Sequence, residues 1–426
     1  MSIAILFGLM ILLIFVGVPI GITIGVSTAV TMFFWGSMPL MSIAQKAYTG
    51  LDSFPLLAVP FFILAGSLMC NGGISKRLIN LAETLVGCII GGLSMVTVMA
   101  CMFFAAISGS GPATVSAIGS FMIPAMKERD YGGGFAAAVT ATAGTIGVII
   151  PPSIPFVIYC IVAQVSIGDM FIAGIIPGII IGLSIMATCY VMARKRNYVT
   201  STTRPTFRGV LTSLKEAWWA MMIPVIILGG IYGGVFTPTE AAVVSVVYAL
   251  FIGVFVYKEL NFEMIYKSMR ETALINGSLM FMIGLSIAFA NYISLAQVPA
   301  KIAAFLTSFS DSPFILMLII NVFLLAIGCF IDNIAAVVIL TPILLPVVTR
   351  IGIDPIHFGL IITFNLAIGF ITPPYGINLF VASTVSKESI EKISWAILPF
   401  IVVLILCLLV FTNFPIFTTG ILRLIR

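Results

Sequence analysis

Charge is what this chain has least of. Asp, Glu, Lys and Arg make up 8% of its 426 residues, against 61% hydrophobic, and a water-soluble chain of that size would lack the polar side chains to cover its surface. The solvent is therefore lipid. Strict polar and apolar alternation is missing too, which excludes a lipid-embedded barrel; the apolar segments are apolar on all sides and read as helices. The N-terminus lacks both a basic residue before its apolar run and a small-residue cleavage site after it, so Ile3 onward reads as a retained span, not a removed signal.

Other absences narrow the function. The 7 cysteines (Cys70, Cys88, Cys101, Cys160, Cys189, Cys329, Cys407) show no CxxC spacing and read as small packing residues. The single histidine, His357, stands beside Asp354 and Pro355 and reads as a surface residue at a span mouth. There is no HExxH, no GxSxG elbow, no pair of intramembrane aspartates and no phosphate-cradling glycine loop with lysine, which argues against an enzyme. Nothing resembles a selectivity-filter repeat, which argues against a channel. The formal charge of +5 sits at span ends, not in one cluster with aromatics, so it sets orientation and does not mark a nucleic-acid surface.

What is present is a pattern of spans and breaks. A hydrocarbon core about 30 Å thick takes roughly 20 helical residues, and the apolar runs supply about ten crossings. The segment 103–177 aligns with 325–399 at a constant offset, placing Pro124 on Pro346, Gly147 on Gly369, Pro151 and Pro152 on Pro373 and Pro374, and Pro177 on Pro399. Pro19 pairs with Pro238 at a slightly different offset. The first half reads as spans 3–18, 20–36, 53–71, 133–162 and 170–193, with an apolar pair at 91–126 interrupted at SerGlySerGlyPro (108–112). That pair is too short for two ordinary spans and reads as a helical hairpin that enters and leaves on one side. Five crossings are odd, so the second half is expected upside down relative to the first.

The expected architecture is an all-α polytopic membrane protein of two inverted repeats, each with five crossings and one re-entrant hairpin. The first repeat is 1–193, with hairpin 91–126 and broken helix 133–162. A basic linker follows at 194–216, and the second repeat is 217–426, with hairpin 313–349 and broken helix 355–384. Basic residues test that count. Lys46, Lys301, Arg350, Arg423 and Arg426 fall on one side and the remaining fifteen of the 20 on the other. This positive-inside bias predicts both termini periplasmic and the linker cytoplasmic. Segments 74–88 and 298–310 are too short to cross; each reads either as an interfacial arm or as an ordinary connecting helix.

Irregular backbone at membrane depth is tolerated only where it lines a cavity or meets a ligand. The breaks are the hairpin tips, 108–112 and 328–333, and the broken helices, 147–153 and 369–376. Each ProPro pair removes amides and frees carbonyls that suit a hard cation. Ser110 and Asp332 read as N-caps of half-helices whose free amides could receive a carboxylate. Ser108, Ser110 and Thr114, with Thr145 nearby, add hydroxyl oxygens; close packing is the competing reading of these small residues. Asp332 is the one acid placed within a membrane hairpin, either facing an ion path or serving as a plain cap. Glu240, in ThrProThrGlu (237–240), reads as a structural capping box.

GSGPATVSAIGSFMIPAMKERDYGGGFAAAVTATAGTIGVIIPPSIPFVIY (109–159), then FIAGIIPG (171–178), and DNIAAVVILTPILLPVVTRIGIDPIHFGLIITFNLAIGFITPPYGINLFVAS (332–383) resemble the two halves of the large membrane subunit of TRAP transporters, the tripartite ATP-independent periplasmic carriers. The resemblance runs over essentially the whole chain. It implies sodium-coupled uptake of an organic acid, such as sialic acid or a C4-dicarboxylate, across the bacterial inner membrane. A periplasmic binding protein would deliver the acid, and a transport domain would move as an elevator in a fold similar to divalent-anion/sodium symporters. It implies two or more Na+ ions. One would lie at Ser108, Ser110, Gly147, Ile150 and Pro152 and its mate at Gly328, Asp332, Gly369, Thr372 and Pro374. The acid would lie between them near Asp332, Asn333, Asn365 and Asn378, with Thr114. Because the sequence opens directly on a span, a separate small membrane subunit is expected. The other reading within transport is a stand-alone sodium/anion symporter.

Overall fold

Apolar runs punctuated by Gly and Pro leave the backbone one way to satisfy its own polar groups in lipid, and among the described residues every regular element is a helix. The computed structural model describes all residues except 1, 36–38, 197, 199–205, 308–309, 311, 374–375 and 426. Pro374, an expected sodium ligand, lies outside the described residues.

The first half runs through α1 (Ser2–Phe15), α2 (Ile20–Trp35), α3 (Met41–Leu51) and α4 (Ala58–Asn71), the last entered through a 3-10 turn, Phe54–Leu57. Then come α5 (Ile74–Val86), α6 (Gly92–Ser108), α7 (Gly111–Glu128), α8 (Gly133–Gly144) with a 3-10 turn, Thr145–Val148, α9 (Ile154–Ala163) and α10 (Ile167–Lys195). The second half is α11 (Phe207–Tyr232), α12 (Pro238–Phe251) ending in a π turn, Ile252–Val256, and α13 (Phe262–Leu295), followed by α14 (Val298–Thr307). It continues with α15 (Pro313–Gly328), α16 (Asn333–Arg350), α17 (Pro355–Gly369), α18 (Ile377–Ser386), α19 (Ile390–Asn413) and α20 (Ile416–Ile425). Among the described residues, seven helical segments are long and apolar enough to cross a bilayer: Phe54–Asn71, Ile167–Lys195, Arg208–Tyr232, Pro238–Val256, Phe262–Leu295, Asn333–Arg350 and Ile390–Asn413.

Two helices go beyond the sequence expectation. Residues 41–51, left between spans, form α3, which packs on α13. Pro415 separates α19 from α20, which folds back onto α10 and α17. The α20 contact corrects the reading of His357. That side chain is 1% exposed, and its Nδ1 lies 2.6 Å from the Thr418 hydroxyl. The helix α11 begins inside the expected linker, whose residues 197 and 199–205 lie outside the described set.

Local chemistry explains several boundaries. Thr237 and Glu240 form the expected capping box: the Thr237 amide donates to Glu240 Oε2 at 2.8 Å and the Glu240 amide to Thr237 Oγ1 at 3.3 Å. Ser166, Asn261, Asp354 and Ser389 each accept an amide at a helix start. α5 buries Ile74, Leu78 and Ala82 between α6 and α11. Its polar face is pinned by Arg77, which bonds Glu259 at 2.7 Å and lies 3.7 Å over the Tyr257 ring.

Packing couples the halves in matched pairs. The helix α7 lies against α8 and α18, and α16 against α17 and α9. Likewise α4 packs on α12, and α2 on α13. Each hairpin thus closes on the interrupted helices of both halves. At one end of the bundle Lys127, near the end of α7, donates to the Ser386 carbonyl at 2.6 Å and pairs with Glu388 at 3.2 Å.

Candidate transport site

Small residues bring the first tip onto the first break. Gly109, at φ +60°, turns the chain between α6 and α7, a conformation that glycine adopts without a Cβ penalty. Its carbonyl accepts the Ile154 amide at 3.2 Å. A Cβ there would stand 2.7 Å from the Pro152 carbonyl oxygen. Gly147 is equally confined: a Cβ would stand 2.6 Å from the Ser110 carbonyl and 2.7 Å from Thr114 Oγ1. Ser108 Oγ lies 3.0 Å from Thr114 Oγ1, and the Thr114 hydroxyl donates to the Ser110 carbonyl at 2.8 Å. The Ser108 and Thr114 hydroxyls and the Ser110 carbonyl therefore gather against Gly147, and the Pro152 carbonyl lies beside Gly109. Pro151 has no amide to offer the carbonyl one turn back, at Gly147. Ile150 donates its amide to Ile146 at 3.0 Å.

One expectation at this tip needs adjustment. Ser110 occupies the N-cap position of α7, but its side chain caps no amide; its own amide instead donates to Ser108 Oγ at 3.4 Å. Thr145, which opens the 3-10 turn leading into the break, donates its hydroxyl to the Thr142 carbonyl at 2.7 Å.

The second tip repeats the design with different residues. Gly328 ends α15 with Leu366 and Gly369 of α17 beside it, and a Cβ on Gly369 would land on the Gly328 carbonyl. Asp332 caps α16, accepting the Ile334 amide at 3.0 Å. Thr372 donates its hydroxyl to the Ile368 carbonyl at 2.8 Å, and the Asn378 backbone amide donates to the Phe370 carbonyl at 3.0 Å.

The two junctions adjoin. Asn378, on α18, donates through its side chain to the Ala141 carbonyl of α8 at 3.0 Å. A Cβ on Gly111 would stand 3.2 Å from the Phe370 ring and 3.3 Å from Asn378 Oδ1. Asn333 donates to the Thr363 carbonyl at 3.3 Å. Asn365 is not drawn into the tip. Its amide donates to Asn321 Oδ1 at 2.9 Å, and Asn321 in turn donates to Thr412 Oγ1 at 2.9 Å, a polar chain joining α17, α15 and α19.

Asn321, Thr412 and Thr363 escaped the sequence reading. Asn321 is the single amide in the apolar run of α15, the one signal that could have flagged it. Several buried oxygens around the junctions have no hydrogen-bond partner among the described residues: Asn333 Oδ1, Thr363 Oγ1, Asn365 Oδ1 and Asn378 Oδ1. The carbonyl acceptors facing the three NH2 groups, or Asn321 Oδ1 for Asn365, fix which end of each amide is the oxygen. A buried acceptor left bare costs about 1–3 kcal/mol, and the described residues offer these four no donor. No cluster of three or more His, Cys, Asp or Glu occurs among the described residues. Apart from the Asp332 carboxyl, the oxygens at the junctions belong to carbonyls, amides and hydroxyls.

Apolar spans and paired interrupted helices are those of a multi-pass membrane protein of the transporter class. Residues 7–417 match the family described as "Tripartite ATP-independent periplasmic transporter, DctM component"; the chain belongs to this family. It is 48% identical over 411 residues to the isethionate TRAP transporter permease protein DctMQ of Oleidesulfovibrio alaskensis, covering 96% of this chain and 65% of that protein. It is 41% identical over 393 residues to the C4-dicarboxylate TRAP transporter large permease protein DctM of Pseudomonas aeruginosa, covering 92% of each. These relatives are transporter permeases, not enzymes. The fold is similar to the crystal structure of the YdaH transporter of Alcanivorax borkumensis, with a TM-score of 0.63 at 15% identity over 88% of this chain and 86% of that one.

Proposed function

We propose that this chain carries a small organic anion across the bacterial inner membrane, driven by sodium, as the large permease of a tripartite system. The observation that carries the reading is the pair of junctions where a hairpin tip meets a helix break and oxygens are left for a ligand. One sodium is assigned to Ser108, Ser110, Gly147, Ile150 and Pro152, and a second to Gly328, Asp332, Gly369, Thr372 and Pro374. The substrate is assigned between them, beside Thr114, Asn333 and Asn378, with Asn365 positioning the break through Asn321. Relatives named for isethionate and for C4-dicarboxylates support an anion bearing a sulfonate or carboxylate. Sodium bound first offsets that anion's charge and the carboxylate of Asp332.

The two halves are assigned as inverted repeats, 1–193 and 217–426. The matched packing of α7 with α18 and α16 with α9 supports this, as does the uneven distribution of basic residues. In this reading α16 is the return arm of a hairpin although its length would let it cross. The hairpins and interrupted helices move together as an elevator against the α4, α12 and α13 side. The partners are a periplasmic binding protein that delivers the anion and a small membrane subunit.

The test is initial uptake against sodium concentration in proteoliposomes holding this chain, its small subunit and its binding protein, for wild type, Ser108→Ala, Ser110→Ala and Asp332→Asn. The serine variants lose a hydroxyl ligand and keep the backbone oxygens, so their sodium half-saturation should rise severalfold. Asp332→Asn keeps the cap and should lower the rate. Unchanged sodium dependence in both serine variants, with a wild-type rate for Asp332→Asn, sinks the ion assignment.

A further inference from the structure

Away from the junctions, a groove of about 690 Å³ runs between α10 and α19. Its walls are Ala187, Val191 and Met192 on one side and Pro399 and Val403 on the other. Two hydroxyls also line it, and both are spent inside the helix: Ser184 donates to the Ile180 carbonyl and Thr188 to the Ser184 carbonyl, each at 2.8 Å. The inner end is closed by Cys407 against Ser184 at 3.4 Å. The wall therefore offers hydrocarbon and methyl groups with no polar atom in want of a partner, and it faces outward from the bundle.

The other end of the groove is cationic. Lys195 and Arg196 line it, and among the described residues neither forms an ion pair. Arg196 is held in place, its guanidinium 5.4 Å from the Phe135 ring centroid and donating to Tyr198 Oη at 3.2 Å. From Ser184 to Lys195 the helix rises about 16 Å at 1.5 Å per residue, close to the half-thickness of about 15 Å of a hydrocarbon core. A channel one leaflet deep, apolar along its length and doubly positive at the surface end, matches one kind of molecule.

We infer that the α10–α19 groove is a binding site for an anionic phospholipid, an acyl chain lying along Ala187, Val191 and Val403 and the headgroup phosphate between Lys195 and Arg196. The inference needs only that the basic end lies at a membrane surface, and it stands or falls independently of the sodium assignment. Tail and head contribute separately: the apolar wall holds any acyl chain of matching length, and the two cations select for negative charge.

The experiment uses the full chain, delipidated in detergent, with native mass spectrometry of phosphatidylglycerol and phosphatidylcholine carrying identical acyl chains. Phosphatidylglycerol should bind about tenfold tighter. Lys195→Ala with Arg196→Ala should reduce that preference to about onefold while leaving phosphatidylcholine binding as it was. Ala187→Trp, at an exposed position that leaves the core untouched, should weaken both lipids severalfold. Lys46→Ala, on a different helix, should change neither. Equal binding of both lipids by wild type, or an undiminished preference in the double variant, overturns the inference. So does protection by inorganic phosphate equal to that by the lipid, which would mark a simple anion site.

Discussion

At the scale of single residues, the junctions are built by what glycine omits. A Cβ on Gly369 would meet the Gly328 backbone, which cannot rotate aside, whereas a Cβ on Gly277 in α13 would meet nothing within 4 Å. Gly369→Ala should therefore destabilise the protein by about 1–3 kcal/mol through overpacking, and Gly277→Ala should be neutral or mildly stabilising. Thermal unfolding in detergent separates the two, and equal midpoints would contradict the contact. Asn321 makes a different kind of demand. Asn321→Leu fits the apolar surroundings of α15 but removes the bonds to Asn365 and Thr412, which keep only the Ile361 and Leu408 carbonyls of their own helices, for an expected loss of about 1–3 kcal/mol. A wild-type melting curve for that variant would show the chain Asn365–Asn321–Thr412 to be dispensable. The sequence displayed Asn365 and Asn321 as isolated amides in apolar helices, but not that they face each other. Pairing across helices depends on rotation angles that a span's composition leaves open.

At the scale of elements, punctuation made the fold legible. SerGlySerGlyPro and the two ProPro pairs interrupt apolar runs where no ordinary helix tolerates them, and the interruptions fall at 109–110 and 149–153. Two helices did not stand out despite their punctuation: α3 lies between Pro39 and Pro55 but is too short and mixed to read as a span, and α20 follows Pro415 inside a run that stays apolar. His357 was misread for the same reason, since the helix that covers it arrives from sixty residues away. One connection is open to a pH test. Glu388, between α18 and α19, accepts from Lys392 at 2.8 Å and pairs with Lys127, and Lys392 foremost, then Lys127, holds its carboxyl below the usual carboxylate range. A depressed folded value means stability present above the unfolded value of about 4.3 and lost as pH falls through the folded one. Glu388→Gln should thus lower the melting midpoint at pH 7, and its deficit should shrink below about pH 4. A deficit that stays constant with pH would exclude the ion pairs as its source.

At the scale of the whole molecule, the expected orientation can be tested directly. Single cysteines placed at Lys258 and at Lys301, in a background without reactive native cysteines, should label from opposite sides of the membrane, Lys258 from the cytoplasm. Labelling of both from one side would break the inverted-repeat assignment.

The cross-packing of α7 on α18 and α16 on α9 also has a bearing on how the chain is made. Synthesis delivers α6 to α10 well before α17 and α18 exist, so the first hairpin enters the bilayer with Gly111, Gly144 and the Lys127 end unmatched. Its seat is completed only when residues 355–388 emerge and Asn378 reaches Ala141. Nascent chains stopped before residue 355 should then hold a first hairpin open to protease, while the finished chain should not. On this reading the first hairpin is seated only when the last sixth of the chain arrives, and a truncation late in the gene would damage its earliest part.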